Sequence, residues 1–183
     1  MFSRSLGNGL EIKILEVRHA PVVYEAVERN REYLRRWLPW VDKTASESDI
    51  EAFIKMSLDQ FASSQGFAAG IFRGAECLGT IGFHRIDWLN KKVELGYWLE
   101  EASQGKGIVT DACRAVLDHA FNEWLLNRVE IHCATGNQKS CAIPKRLGFQ
   151  FEGIRRDGQI LNGTPVDINV YSLLAREWRA QKN

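Results

Sequence analysis

Residues 103–110 could bind an anion, because two glycines occur there directly before a helical pattern. They follow a strand-like run and open a long amphipathic segment, so Gly105 and Gly107 lie in a turn that leads into a helix. Free backbone N–H groups and the helix dipole attract phosphate at such a helix start, and glycine lets the phosphate approach the main chain. We therefore predict that a phosphate-bearing ligand, a cofactor, binds at this turn.

The spacing of the glycines does not fit two common nucleotide-binding patterns. A nucleoside triphosphate loop needs a Gly-Lys-Ser/Thr ending, which this stretch lacks. A dinucleotide fingerprint needs a small residue three positions after Gly107, where the chain has Thr110. Residues 104–109 instead resemble the pyrophosphate loop Gln/Arg-x-x-Gly-x-Gly/Ala of the acetyl-CoA-dependent N-acetyltransferases (the GNAT superfamily), with Val109 as a departure at the last small position.

A second motif follows about one strand and one helix downstream. Asn137 and Ser140 have the spacing Asn-x-x-Ser, and the helix after them ends in Leu147-Gly148-Phe149. This order resembles the second cofactor signature of the same superfamily. The resemblance covers nearly the whole chain and is strongest to the bacterial ribosomal-protein N-terminal acetyltransferases, the RimJ/RimL group. Further segments that carry it are 37–40, 94–99, 127–130, 161–163, Asp167 and 171–173.

The resemblance implies a mixed α/β fold, the GNAT acyl-CoA N-acyltransferase fold, with a mostly antiparallel central sheet, splayed strands and flanking helices. It implies acetyl-CoA or coenzyme A as cosubstrate, with the pantetheine arm between strands 93–99 and 129–134 and bonded as an added strand would be. A loop Lys is often solvated and Asn is a good helix N-cap, so Lys106 and Asn137 have second interpretations. The implied cofactor-binding residues are Trp98, Leu99, Gln104, Gly105, Lys106, Gly107, Ile108, Val109, Asn137 and Ser140.

The implied reaction is attack of a neutral amine on the thioester carbonyl, which needs a base, an oxyanion donor and a proton for the leaving thiolate. By resemblance, Ser140 is the catalytic proton donor and a main-chain N–H near Trp98 or Leu99 serves the oxyanion. Ser140 could instead bond the helix start. Tyr97 or Tyr171 could then donate the proton.

The base is Glu94 in this interpretation. The ribosomal group has a Glu where this chain has Gln159, which cannot accept a proton at neutral pH. Glu94 shares a strand face with Gly96 and Trp98, and partial burial beside Trp98 would raise its pKa toward that of a base. Two alternatives stay open: Glu94 is a surface or paired carboxylate, or no base is needed because an N-terminal amine has a pKa of about 8.

Trp37 and Trp40 surround Pro39 and occur where the family builds part of its acceptor groove; we expect one of them in that groove and one in the core. By resemblance, the predicted acceptor is the N-terminal Ser or Ala amine of a protein, with ribosomal proteins as the implied class. A polyamine, amino sugar or amino acid acceptor is the alternative, and a non-catalytic CoA-binding module is another. Dimers are common in the group, so a homodimer is possible.

The composition of the chain argues against several other classes of function. The chain has 183 residues and a formal net charge of +1, which gives no basic excess for nucleic-acid binding. No apolar run approaches the roughly 18 residues of a membrane span, and residues 1–10 lack a signal-peptide core, so a cytoplasmic protein is expected. The four cysteines form no Cys-x-x-Cys pair and the four histidines are scattered, so no metal site is predicted.

Hydrophobic periodicity predicts one domain, residues 1–183, whose strands and helices position these motifs. An apolar helical stripe containing Phe53 and Ser57 follows a cap at Ser46 or Ser48. Strands are predicted at 10–17, 67–72, 77–86, 93–99, 129–134, 149–161 and 166–174, and the other helices at 21–30, 32–40, 108–124 and 136–148.

Overall fold

The structure, a computed structural model, describes residues 3–181; the predicted domain limits 1 and 183 lie outside this range. Its strands form one sheet with the spatial order β1-β2-β3-β4-β5-β6-β8-β7. The strands are β1 Ser3–Gly7, β2 Leu10–Ile14, β3 Phe67–Arg73, β4 Glu76–Phe83, β5 Lys92–Leu99, β6 Arg128–Ala134, β7 Gln150–Leu161 and β8 Thr164–Leu174.

Helices cover both faces of this sheet. On one face, a buried cluster joins the first three helices to Ala68, Phe72 and Trp98 of the sheet. On the opposite face, a second buried cluster contains the fourth helix and Trp178 of the last helix. Within residues 3–181, no helix is long and apolar enough to cross a membrane. The helices are α1 Ala20–Arg29, α2 Arg31–Leu34, α3 Glu47–Ala62, α4 Ile108–Asp118, α5 Gln138–Arg146 and α6 Ala175–Ala180.

The sheet is antiparallel except between β5 and β6, which confirms the predicted fold class. These two strands run parallel because α4 connects them as a crossover. Their pairing covers only Lys92 to Glu94 on β5, after which β5 stays with β4 and β6 stays with β8. The predicted splay therefore begins after Glu94, and it leaves the β6-facing main chain of the rest of β5 unpaired with that strand.

Several element boundaries differ from the prediction. Strand β1 and helix α6 were absent from it, although the Gly7-Asn8-Gly9 turn is a strand-reversal signal. Strand β2 ends at Ile14 because residues 17–19 form a 3₁₀ turn. The helix predicted at 32–40 is only α2, because Pro39 disfavours helical geometry at Leu38 and the chain continues in turns.

Two residues of the apolar stripe predicted on α3 do not pack as apolar core residues do. Ser57 is buried, and its hydroxyl accepts a hydrogen bond of 2.7 Å from the backbone N–H of Ala68 on β3. Phe53 is 38% exposed, because it faces a cavity rather than the core. The cap of this helix is Ser46, with Asp49 completing a capping box.

Candidate active site

The glycine turn adopts the conformation that an anion site requires. Gly105 and Gly107 have φ of +75° and +79°, values in the left-handed region. Gly107 is the N-cap of α4, so the first N–H groups of that helix have no partner within it. A Cβ at Gly105 would meet nothing within 4 Å, and one at Gly107 would meet only Asp111 Oδ2 at 3.8 Å. The backbone therefore faces open space that a diphosphate can occupy.

Three basic side chains that the sequence prediction did not include line the cavity beside this turn: Arg114, Lys139 and Arg146. The cavity has a volume of about 770 Å³ and includes Trp98, Leu99, Gln104, Gly105, Gly107, Ile108, Val109, Asn137 and Ser140 of the predicted cofactor residues. Helical spacing could have indicated Arg114 and Arg146, because each follows its motif by one or two turns, and Lys139 lies within the second motif itself. The residues present fit an anionic ligand such as coenzyme A.

Lys106 does not line this cavity. Its Nζ donates a hydrogen bond of 2.9 Å to the carbonyl of Ala102, so the side chain folds back on its own turn. Lys139 from α5 reaches the turn instead, donating 2.9 Å to Gln104 Oε1. Lys139, and not Lys106, therefore places its side chain in this cavity beside the turn.

The start of α5 holds Asn137 and Ser140 together. Asn137 Oδ1 accepts a hydrogen bond of 3.1 Å from the Ser140 backbone N–H, which is the N-cap interaction. The carbonyl of Ser140 accepts the phenol proton of Tyr97 at 3.2 Å. Burial raises the pKa of Tyr97 well above its ordinary value, so this phenol stays neutral. Tyr97 therefore connects β5 to α5 at the point where β5 and β6 have separated.

A second cavity of about 750 Å³ lies on the other side of this junction. Its lining includes the predicted base Glu94, the position Gln159, and Trp37 and Trp40. Residues common to both cavities form their shared wall: Trp37, Leu38, Tyr97, Trp98, Asn137 and Ser140. Two ligands bound in the two cavities would meet at this wall.

Neither predicted substrate-binding tryptophan belongs to the buried core. Trp37 is half-buried and lines both cavities, whereas Trp40 is 36% exposed and lines only the second. Trp37 packs against a small buried cluster formed by Ala134, Leu161 and Ile168, so it lies at the edge of the core as well as in the cavity wall. Trp40 instead packs against Trp98 with ring centroids 6.2 Å apart and the planes tilted by 52°.

Glu94 lies on the predicted strand face but has the opposite pKa shift. Its Oε2 is 3.1 Å from Nδ1 of His132, which is the residue two positions after Glu130 on β6. Burial raises the pKa of Glu94, but the hydrogen bond and charge of His132 outweigh burial and lower the pKa below its usual value. The prediction of a raised pKa for this carboxyl was wrong because it considered Trp98 and not the neighbouring strand.

His132 is a further functional candidate that sequence reasoning missed. Its side chain is 13% exposed and its Nε2 is 2.8 Å from Glu130 Oε2. The hydrogen bond to Glu94, opposed by burial and supported by Glu130, raises the pKa of His132. Period-two alternation on β6 could have indicated the pair, because Glu130 and His132 share one face and Glu130 lies beside Glu94 in the sheet register.

Glu130, the carboxylate on the Nε2 side of His132, is fixed by a further ion pair. Arg128 Nε donates 2.8 Å to Glu130 Oε1, and the same guanidinium holds Glu152 of β7. Glu152 also accepts a 2.7 Å hydrogen bond from the Ser172 hydroxyl. These contacts keep the pKa of Glu152 low, at about 2, with the Arg128 hydrogen bond as the largest cause. Side chains from three neighbouring strands therefore support the wall of the second cavity.

One cysteine, Cys133, lines the second cavity, and the other three line neither cavity. All four are buried and free. Burial raises the pKa of Cys77 to about 12, and it raises the pKa values of Cys113 and Cys133 further still. Within residues 3–181, no group of three or more His, Cys, Asp or Glu residues could hold a metal ion.

Residues 10–150 match the family described as acetyltransferase (GNAT) domain. The Bacillus subtilis protein named "Putative ribosomal N-acetyltransferase YdaF" is 39% identical over 183 residues, which is 100% of both chains. The Escherichia coli ribosomal-protein-serine acetyltransferase is 32% identical over 91% of this chain and 93% of its own.

A solved structure agrees with these sequence relatives. RimL, described as a ribosomal L7/L12 alpha-N-protein acetyltransferase in complex with coenzyme A, superposes with a TM-score of 0.90 at 26% identity. The match covers 94% of this chain and 98% of RimL. The chain, with its glycine turn and its two adjoining cavities, belongs to the GNAT acetyltransferase family and is an acetyl-CoA-dependent N-acetyltransferase.

Proposed function

We propose that this enzyme transfers the acetyl group of acetyl-CoA directly to the N-terminal Ser or Ala amine of a protein, a ribosomal protein among them, in a ternary complex. The observation that carries the proposal is the wall shared by the two cavities, which includes Ser140 and Trp98. Relatives named for ribosomal-protein and L7/L12 acetylation support this class of acceptor. The cosubstrate supplies an acetyl group activated as a thioester.

Cofactor binding rests on the turn and on the separated strand. Backbone N–H groups of residues 104–109 bind the diphosphate, and the cations Arg114, Lys139 and Arg146 neutralise phosphate charge around it. The main chain of Trp98 and Leu99, on the side where β6 has diverged, is available to the pantetheine amides. Asn137 lies at the wall where this arm would end.

Ser140 is the preferred proton donor among the three hydroxyls that the sequence offered. Asn137 already caps the helix through the Ser140 N–H, so the Ser140 hydroxyl is not needed for that purpose. Tyr97 already donates its phenol proton in a hydrogen bond to the carbonyl of Ser140. Tyr171 is 3% exposed and lines neither cavity. Ser140 lines both cavities, which is the position from which a donor can reach a leaving thiolate.

Glu94 acts on the acceptor amine from the second cavity. Its lowered pKa keeps the carboxylate ionised at neutral pH, so it attracts the ammonium form of the N-terminus and accepts a hydrogen bond from it. Gln159 lines the same cavity and can hydrogen-bond an acceptor without taking a proton. Trp37 and Trp40 form the aromatic side of the cavity against which the first residues of the acceptor pack.

Initial rates with a panel of acceptors test this proposal. Peptides that begin with Ser or Ala are compared with the same peptides carrying a blocked N-terminus, and with a polyamine, an amino sugar and free amino acids. We expect turnover of the free Ser and Ala peptides and none of the blocked ones. Turnover of a small amine, with every peptide inactive, would overturn the protein acceptor; absence of any transfer would favour a CoA-binding module.

A further inference from the structure

We propose that His132 is the proton-accepting partner of Glu94, so that the two side chains act as one proton relay. This relay takes the place of the Glu that the ribosomal group has where this chain has Gln159. The inference rests on the proposed function, since it concerns the amine that enters the second cavity. Its basis is geometry: His132 Nδ1 lies 3.1 Å from Glu94 Oε2, while His132 Nε2 lies 2.8 Å from Glu130 Oε2. The imidazole thus bridges two carboxylates across the junction of β5 and β6.

The two carboxylates have different surroundings. Glu130 is fixed by Arg128, whose Nε donates 2.8 Å to Glu130 Oε1, and its side chain is 18% exposed. The side chain of Glu94 is 38% exposed and lines the second cavity, and within the described residues its carboxylate has His132 as its one hydrogen-bond partner. Glu130 therefore holds the Nε2–H of neutral His132, and the Nδ1 lone pair is left facing Glu94.

This tautomer gives the proton a complete path. The ammonium of the acceptor loses a proton to a Glu94 oxygen, and the proton passes from Glu94 to Nδ1 of His132, forming an imidazolium between two carboxylates. The freed amine lone pair forms the C–N bond as the C–S bond breaks. The thiolate takes a proton from the Ser140 hydroxyl, and Ser140 regains one from the nitrogen of the new amide, which thereby loses its second proton. The imidazolium then returns its proton to solvent through the exposed Glu94, so no other reactant is consumed.

Charged groups on the neighbouring elements shift the pKa values of Glu94 and His132. His84, after β4, lies over Gly96, where an added Cβ would be 2.7 Å from its Nε2. Arg155 of β7 lines the same cavity, and both His84 and Arg155 lower the pKa of Glu94. Glu94 and Glu130 raise the pKa of His132 against the opposing effect of burial. Neutral His132 is therefore formed only as the pH rises through a pKa above the ordinary value of about 6.5.

The pH profile of kcat/KM with a Ser-starting peptide separates this role from a structural one. In the parent, activity rises with pH through the raised pKa of His132. In His132→Gln, the acidic limb of the profile moves to the pKa of the acceptor amine, about 8, so activity at pH 7 falls by up to about tenfold while alkaline activity largely recovers. His19→Gln, a change to a histidine remote from both cavities, keeps the parent limb. An unchanged limb in His132→Gln would overturn the proposal.

A titration of the histidine ring protons by NMR gives a second, independent readout, with His132 assigned by the signal lost in His132→Gln. Its pKa is expected above 6.5 in the parent and closer to that value in Glu94→Gln, whose pH profile also loses the parent limb. If His132→Gln fails to fold, the pH profile of Glu94→Gln alone decides, and a parent-like limb in that variant would overturn the relay. Failure of the protein-acceptor proposal is recognised separately, as absence of peptide turnover with retained CoA binding and small-amine turnover.

Discussion

Replacing Gly107 by Ala separates the backbone conformation of the turn from its use as a ligand site. Gly107 has φ of +79°, a region in which an L-residue costs about 1–2 kcal/mol. No steric term adds to this cost, because the new Cβ would be 3.8 Å from its nearest neighbour, Asp111 Oδ2. For a chain of this size the expected fall in Tm is about 2–8 °C.

The same methyl group would project into the open space over the turn, where we place the diphosphate. Coenzyme A binding, measured by isothermal titration calorimetry, should therefore weaken by at least about tenfold, or about 1.4 kcal/mol. Gly74→Ala is the matched control, because Gly74 also has a positive φ of +60° with nothing within 4 Å of its Cβ, in the turn between β3 and β4. It should lose similar stability and no affinity. Equal CoA affinity of Gly107→Ala and the parent would refute this reasoning.

Three further predictions concern the shared wall, the acceptor cavity and the ion pair behind it. Ser140→Ala should lower kcat by about 10²-fold with little change in CoA affinity, and parent-like kcat would exclude the donor role. Trp40→Ala should raise KM for a peptide about 2–10-fold, while Trp88→Ala, a similarly exposed tryptophan outside the cavity, should not. The pKa of Glu152 is lowered to about 2, so its pairing with Arg128 stabilises the fold above pH about 4.5 and is lost toward pH 2; chemical denaturation of Glu152→Gln should show a weaker pH dependence in that window.

The cofactor side of the site could be predicted from sequence because its determinants are local. A glycine turn before a helix and an Asn-x-x-Ser helix start each fix their own backbone geometry, and both stand where the sequence indicated, at the starts of α4 and α5. The splay of β5 from β6 also followed from the family resemblance. Strand β1 was missed because its five residues lie on the sheet edge and only one of them, Leu6, is even half-buried.

The chemistry of the acceptor side depends on contacts between strands, which periodicity in one strand does not encode. Glu94 and His132 are far apart in sequence, and their hydrogen bond exists only because β5 and β6 pair in one particular parallel register before they separate. This contact reverses the predicted pKa shift of Glu94. Trp40 was ambiguous for the same reason, because its packing against Trp98 involves a different element of the fold.

We place the meeting point of the acetyl donor and the amine acceptor at the shared wall that contains Ser140. A bisubstrate analogue, coenzyme A joined through an acetyl bridge to the N-terminal amine of a Ser-starting peptide, tests it most directly. We expect competitive inhibition against both acetyl-CoA and peptide, with a Kd at least about 10²-fold below that of coenzyme A, because linked ligands bind as one. Inhibition competitive with acetyl-CoA alone, at the affinity of coenzyme A itself, would contradict it.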